Sequence, residues 1–217
     1  MRVKRFIVLG MMLPGLLLLL AGCHSDKKQA DSIYEKLKKS ASYEKDFVAN
    51  QEKLDEYKEK VASIYADLNQ LELNDENRPE VKQKLKKADN YTEKQQKELR
   101  ESKKNFQKAY EQSASIKENV EQIKDSGQQK QARKLLTIMD ERKKYMNTFF
   151  DDYKKQLALQ GTFYENLEKF SPDELDEQIK KINEYNGKME ETIRQFNQDT
   201  KRYNREKDKY FKKAGLY

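Results

Sequence analysis

Apolar residues recur along most of this chain at alternating steps of three and four, the spacing that lines one face of an α-helix. The clearest run is Val81, Leu85, Ala88, Thr92, Gln95, Leu99, Ser102, Phe106, Ala109, Ser113, Ile116, Val120 and Ile123, thirteen positions in strict 4-3 alternation. Its small and polar members weaken the stripe without breaking its phase. Upstream, Ile33 and Leu37 are followed by Phe47, Leu54, Tyr57, Val61, Ile64, Leu68 and Leu71; near Ser40 to Glu44 the phase slips, and loose packing is expected there. Downstream come Leu135, Met139, Met146, Phe149, Tyr153, Leu157, Tyr164 and Leu167, and then Leu175, Ile179, Ile182, Met189, Ile193, Phe196, Tyr203 and Tyr210. Four stripes predict four helices.

Turn chemistry separates them. The cluster Glu72-Leu73-Asn74-Asp75-Glu76-Asn77 stops the first helix, and Pro79 suits the first turn of the second. Asp125-Ser126-Gly127 follows Ile123, with the glycine available to end a helix in the left-handed conformation. The stripe changes phase at that glycine. Without a turn there, residues 79–170 would form one helix of ~138 Å at 1.5 Å per residue. Ser171-Pro172-Asp173-Glu174 supplies an N-cap, a proline at the first position and an acid at the third, opening the fourth helix. The expected fold is all-α, an elongated antiparallel up-down-up-down four-helix bundle with coiled-coil-like packing. The alternative is a three-helix arrangement with an irregular second helix.

The first residues follow a different pattern. Arg2, Lys4 and Arg5 precede an apolar run from Phe6 to Leu20, followed by Ala21, Gly22 and Cys23, the chain's single cysteine. A basic start, an uncharged core and small residues before a cut describe a secretory signal segment. Leu20-Ala21-Gly22-Cys23 resembles the lipobox of bacterial lipoproteins. That resemblance implies cleavage before Cys23, a diacylglyceryl thioether on its sulfur and acylation, palmitate for example, of the new amino group in many members. The competing readings are an uncleaved membrane anchor and an ordinary signal peptide with an incidental cysteine. The run is shorter than the ~20 residues a spanning helix needs, and Pro14-Gly15 interrupts it. The expected organisation is therefore residues 1–22 as cleaved signal peptide, 23–28 as lipidated cysteine and polar tether, and 29–217 as helical bundle. Two acyl chains suffice for stable anchoring, which places the protein on the extracytoplasmic face of the cell membrane.

Composition narrows the chemistry. Cleavage removes three of the 45 basic residues and none of the 38 acids, leaving a net charge of +4. Few glycines and prolines with periodic apolar residues favour long helices over disorder. The single histidine, His24, directly follows Cys23; there is no second cysteine for a disulfide or cysteine metal site, and no glycine-rich phosphate loop. No enzyme, metal or cofactor is expected beyond the covalent lipid. Charges also sort by end. Arg205, Lys209, Lys212 and Lys213 crowd the C-terminus, while Asp173, Glu174, Asp176 and Glu177 mark the opposite tip. Helix electrostatics account for part of this. Seating of the basic end on anionic headgroups is the functional alternative. Among the thirteen tyrosines, Tyr57, Tyr153, Tyr164, Tyr203 and Tyr210 fall on stripes, which favours inward rings over sugar-stacking platforms. Nucleic acid is a poor partner, since acids are interspersed with bases.

The later helices resemble the YkyA-like cell-wall-binding lipoproteins of Gram-positive bacteria, a family whose wall-binding role is itself an inference. The resemblance rests on Leu175-x-x-x-Ile179-x-x-Ile182-Asn183-x-Tyr185 and Phe196-Asn197-x-x-Thr200-x-x-Tyr203-Asn204. Lys207-x-x-Tyr210-Phe211-x-x-Ala214-Gly215-Leu216, Ile33-Tyr34-x-x-Leu37 and Met139-x-x-Arg142-x-x-Tyr145 add to it. It implies a helical bundle at the cell surface and offers no catalytic motif; Cys23 alone carries over as a functional residue. The expected function is a membrane-anchored, non-enzymatic lipoprotein that binds a wall polymer, teichoic acid or peptidoglycan. The alternative is a structural spacer, scaffold or protein-interaction module of the envelope with no polysaccharide affinity.

Overall fold

The computed structural model describes residues 17–68, 70–71 and 76–216, with their side chains from Ser25 onward except those of Glu168 and Pro172. Five α-helices follow in order: α1 (Leu17–Leu68), α2 (Arg78–Ala114), the short α3 (Lys117–Gln122), α4 (Ser126–Asn166) and α5 (Pro172–Lys213). A 3-10 turn, Leu167–Lys169, closes α4, and the described residues include no strand.

All thirteen positions of the central stripe are buried. The second predicted helix is split, because Ser115 and Ile116 form a tight turn in which Ser115 Oγ donates to the Gln112 carbonyl at 2.7 Å. A serine bonding its own backbone competes with the helical ladder in this way. The stripe keeps its phase across the break: Ile116, Val120 and Ile123 continue it.

Partner residues descend along α2–α3 as they ascend along α1. Gln29 meets Gln122, Lys36 meets Asn119, Ser40 meets Ser113, Gln51 meets Ser102 and Asp67 meets Lys84. On α4 and α5 the same order appears in Gln131–Glu206, Glu141–Arg202 and Gln156–Asn186. Between α2 and α4, Tyr110 meets Asp140, Lys103 meets Asp151 and Gln95 meets Tyr153. In each pair the contacts follow opposed order along the two helices.

The interior is stacked in three apolar clusters. One joins the start of α1 to the end of α5 and includes Ile33, Leu37, Ile116, Leu135 and Tyr210. The middle cluster is built on Phe47, Leu54, Phe106, Phe150 and Phe196. The third gathers Val81, Leu85, Phe163 and Tyr164 at the opposite end, with Leu71, Leu175 and Ile182 half-buried around them. All three clusters lie within residues 33–216, so the chain from residue 24 onward contains the whole described core. Polar layers separate them. Ser40, Ser113, Arg142 and Thr200 fall between the first two, and the buried Thr92, Gln95 and Gln160 between the second and third.

Several expectations need correction. The segment around Ser40 to Glu44 packs in phase: Ser40 is buried, and its hydroxyl donates to the Ala109 carbonyl at 2.8 Å and lies 2.7 Å from Ser113 Oγ. Residues 23–28 lie in α1, where Asp26 is buried and held. Its carboxylate accepts from the amides of Lys124 at 2.8 Å and Asp125 at 2.9 Å. Gly127 does not end a helix but lies in the first turn of α4; the chain leaves α3 at the extended Ile123, and Asp125 caps α4 by accepting from the Gln128 amide at 2.5 Å. A Cβ at position 127 would meet Lys213 Nζ, the end of a flexible exposed side chain that can move aside. Among the described residues, only Gly215 has positive φ. There Gly215 N–H reaches Lys212 O and Leu216 N–H reaches Phe211 O, a Schellman closure of α5. Finally, Ile179, expected inside, is 41% exposed because it borders a groove.

The capping box at Ser171 forms as expected, with Ser171 Oγ accepting from Glu174 N–H and the Glu174 carboxylate accepting from Ser171 N–H. Replacement Ser171→Ala should cost ~1 kcal/mol. Phe106→Ala, which removes a ring packed on Phe47, Phe150 and Phe196, should cost ~3–5 kcal/mol. Denaturant titration of residues 24–217 measures both, and a Phe106→Ala loss no larger than the Ser171→Ala loss would contradict the packing described. Burial pushes the Tyr203 and Tyr210 phenols up to about 12 from an ordinary 10.0. A phenol raised by folding contributes stability below pH 10.0 that disappears as pH climbs toward 12. Phenolate absorbance should therefore rise in two phases, exposed tyrosines first and the buried group together with loss of helical signal.

Candidate functional site

Arg2, Lys4 and Arg5 and the apolar run through Leu16 lie outside the described residues. The Cys23 backbone belongs to the first turns of α1, and its side chain lies outside the described set. Three residues on, Asp26 binds the turn that opens α4, so the start of α1, the end of α3 and the start of α4 share one end of the molecule. Tyr34 against Phe211, with ring centroids 5.3 Å apart, brings the end of α5 to the same place.

Arg205, Lys209, Lys212 and Lys213 are all exposed on the last turns of α5. Lys212 and Lys213 sit in its final turn, where the helix dipole favours cations. Lys209 is not a free charge: its Nζ donates to Glu206 Oε1 at 2.6 Å, and Lys134 approaches the same carboxylate at 3.6 Å. Lys27, Lys28, Lys124 and Lys130 are exposed at this end as well. Hydrogen bonds from Lys209 and then Gln131 hold the Glu206 carboxyl down at about 2.

The stripe on α4 steps from Met139 to Met146 through Arg142, a residue the sequence reading left out of the core. Arg142 is 2% exposed. Its Nε donates to Thr200 Oγ1 at 3.1 Å, and Nη1 lies 2.9 Å from both Glu44 Oε1 and Met139 Sδ. The guanidinium carbon sits 4.9 Å from the Phe196 ring centre and 5.2 Å from that of Tyr203. An unpaired buried cation would be prohibitive; one carboxylate, one hydroxyl and two ring faces make this one tolerable. The signal available in the sequence was positional, a charge in phase with Met139 and Met146.

Arg142 also borders a groove. α1 and α5 meet through Tyr34–Phe211 and Phe47–Phe196, and beside the latter contact a cleft of about 440 Å³ lies between them. Phe47, Val48, Phe149, Met189, Ile193 and Phe196 make its apolar wall, and Val48 is 50% exposed. A second cleft of about 480 Å³, lined by Tyr65, Leu71, Val81, Phe163 and Ile179, occupies the opposite end.

The tyrosines divide. Tyr153, Tyr164, Tyr203 and Tyr210 are buried, as their stripe positions predict. Tyr57 departs from that pattern: half-exposed, it lies 6.0 Å from the Tyr91 ring across α1 and α2, with Lys94 Nζ 4.9 Å and Lys60 Nζ 5.6 Å from the Tyr91 ring centre. Among the described residues no group of three or more His, Cys, Asp or Glu side chains could hold a metal ion, and no helix is long and apolar enough to cross a membrane.

Among the described residues, the geometry defines an all-helical protein of long paired helices, with its charged surface and open clefts outside a thin aromatic core. Residues 28–213 match a family described as "YkyA: Putative cell-wall binding lipoprotein", and the chain belongs to that family. It is similar to the "Uncharacterized lipoprotein YkyA" of Bacillus subtilis (strain 168), 27% identical over 200 residues that cover 91% of this chain and 88% of that protein. No solved structure matches the chain.

The Glu206 carboxylate stabilises the fold above the ordinary carboxyl value of 4.5, and that contribution is lost as pH falls through about 2. Glu206→Gln should therefore lower the melting temperature at neutral pH and lower it far less at pH 2. Thermal melts at both pH values check this, and an equal effect at the two would contradict it.

Proposed function

We propose that this protein is a lipid-anchored extracytoplasmic rod that binds anionic polymer of the cell wall along its flank. The signal segment is cleaved after Gly22, a diacylglyceryl thioether forms on Cys23, and the new amino group is available for acylation. The four long helical segments form an up-down-up-down bundle, a reading supported by the opposed order of contacts in each helix pair. Both chain ends then lie beside the membrane. Arg205, Lys209, Lys212 and Lys213, with Lys27 and Lys28, face anionic headgroups; each cation close to the surface contributes ~1 kcal/mol, and Lys209, held by Glu206, contributes less.

The observation that carries wall binding is the half-exposed Tyr57–Tyr91 pair with Lys60 and Lys94 beside it. Aromatic faces suit the apolar faces of sugars, and neighbouring ammonium groups suit phosphate or carboxylate on the same polymer. Lys60 is shared with Glu56, which leaves Lys94 as the stronger candidate for contact with ligand. The acidic residues Asp173, Glu174, Asp176 and Glu177 at the far end disfavour end-on capture of such polymers. A spacer or protein-interaction role is the second reading, favoured by the apolar cleft around Ile179 at that end.

Residues 24–217 should be retained on wall sacculi, with retention lost on removal of teichoic acid or at high salt. The double replacement Tyr57→Ala/Tyr91→Ala should reduce retention at least severalfold without changing helical content. No retention by the unaltered chain would sink wall binding and favour the interaction module. Charge reversal at Arg205, Lys209, Lys212 and Lys213 should weaken binding of the unlipidated chain to anionic vesicles; unchanged vesicle binding would reject a headgroup seat.

A further inference from the structure

The cleft beside Arg142 has a direction. At one end stand Glu44, Arg142, Asn197 and Thr200, all polar. From there Phe47, Val48, Phe149 and Met189 carry an apolar surface toward Asp55 and Lys58. On α1 this wall extends from Glu44 to Lys58, ~21 Å at 1.5 Å per residue. The volume, about 440 Å³, lies in the small-molecule range and is too little for a docked helix ~10 Å across.

The polar end is chemically specific. Arg142 makes its hydrogen bonds through Nε and Nη1, and among the described residues no acceptor meets Nη2. A guanidinium presents its donors as a fork suited to two oxygens of one carboxylate or phosphate. Glu44 supplies a single oxygen to that fork from a side chain that is 28% exposed. It is therefore a carboxylate already placed where an acidic ligand would bind, and it competes for the same cation.

We infer that the α1–α5 cleft is a binding site for an amphiphilic anion, with its carboxylate or phosphate on Arg142 and its hydrocarbon chain along Phe47, Val48, Phe149 and Met189. Asp55 and Glu190 at the rim do not oppose this strongly. Both are exposed, and at 1.5 Å per residue they lie ~15 Å along their helices from Glu44 and Thr200, beyond the ~10 Å over which exposed charges interact at ordinary salt. The site is separate from the Tyr57–Tyr91 face and does not depend on wall binding.

Calorimetric titration of residues 24–217 tests the assignment, using decanoate, decyl phosphate, decanol and decyltrimethylammonium, each below its micelle concentration. One molecule of decanoate or decyl phosphate should bind per chain, and the tighter of the two identifies the headgroup class. Decanol should bind at least about tenfold more weakly and the cation not measurably. Two variants, each first shown by its helical signal to be folded, sharpen the test. Glu44→Gln, which removes the competing carboxylate, should tighten anion binding about tenfold and leave decanol unchanged. Val48→Glu, at a half-exposed position, should weaken the anions about tenfold with helical content intact. Equal or tighter binding of the cation, no effect of Glu44→Gln, or no binding of either anion would each overturn the assignment.

Discussion

A helix can bury one stripe only, and in a rod built of helices lying side by side each level of the interior receives about one side chain per helix. That constraint governs this molecule. The thirteen buried positions of α2 and α3 set the spacing of levels, and the other helices match it. Because the stripe averages 3.5 residues, it stays on one face of a helix as long as a coiled-coil strand. The core is consequently thin and long, and three apolar clusters share the burial that a globular domain would concentrate in one.

A stack of similar apolar levels has a weakness: sliding one helix by a heptad costs little. The polar layers answer it. Ser40 against Ser113 and Ala109, and Arg142 against Glu44 and Thr200, can be satisfied in one register, since any slip would bury a charge or hydroxyl among rings. Buried polar groups are weak sources of stability and good selectors of register. Arg142 does both this and something further, because the helices that hold it also leave it beside open space.

How much of this could be read from the sequence depended on the kind of interaction involved. Local signals were read correctly: the stripe of α2, and the capping box at Ser171, whose partner stands three residues away. Signals that rest on distant partners were not. A polar residue in phase looks like an interruption until its acceptor is known, so Ser40 read as a slip and Arg142, though part of a family motif, was left out of the core. Gly127 read as a helix stop because glycine commonly is one, yet the stop is made by Asp26 and Asp125, the former about a hundred residues away along the chain. Tyr57 and Ile179 were placed inside by periodicity alone; Tyr57 instead packs on Tyr91 at the surface between α1 and α2, and Ile179 borders an open cleft.

Asp26 gives the fold a mechanical property. Its two hydrogen bonds join the beginning of α1 sideways to the turn before α4. Tension applied to the segment ahead of residue 25 therefore enters two helices together instead of travelling down α1 alone. Bonds set side by side divide a pull between them, while bonds in series yield one after another. An end braced in this manner resists peeling.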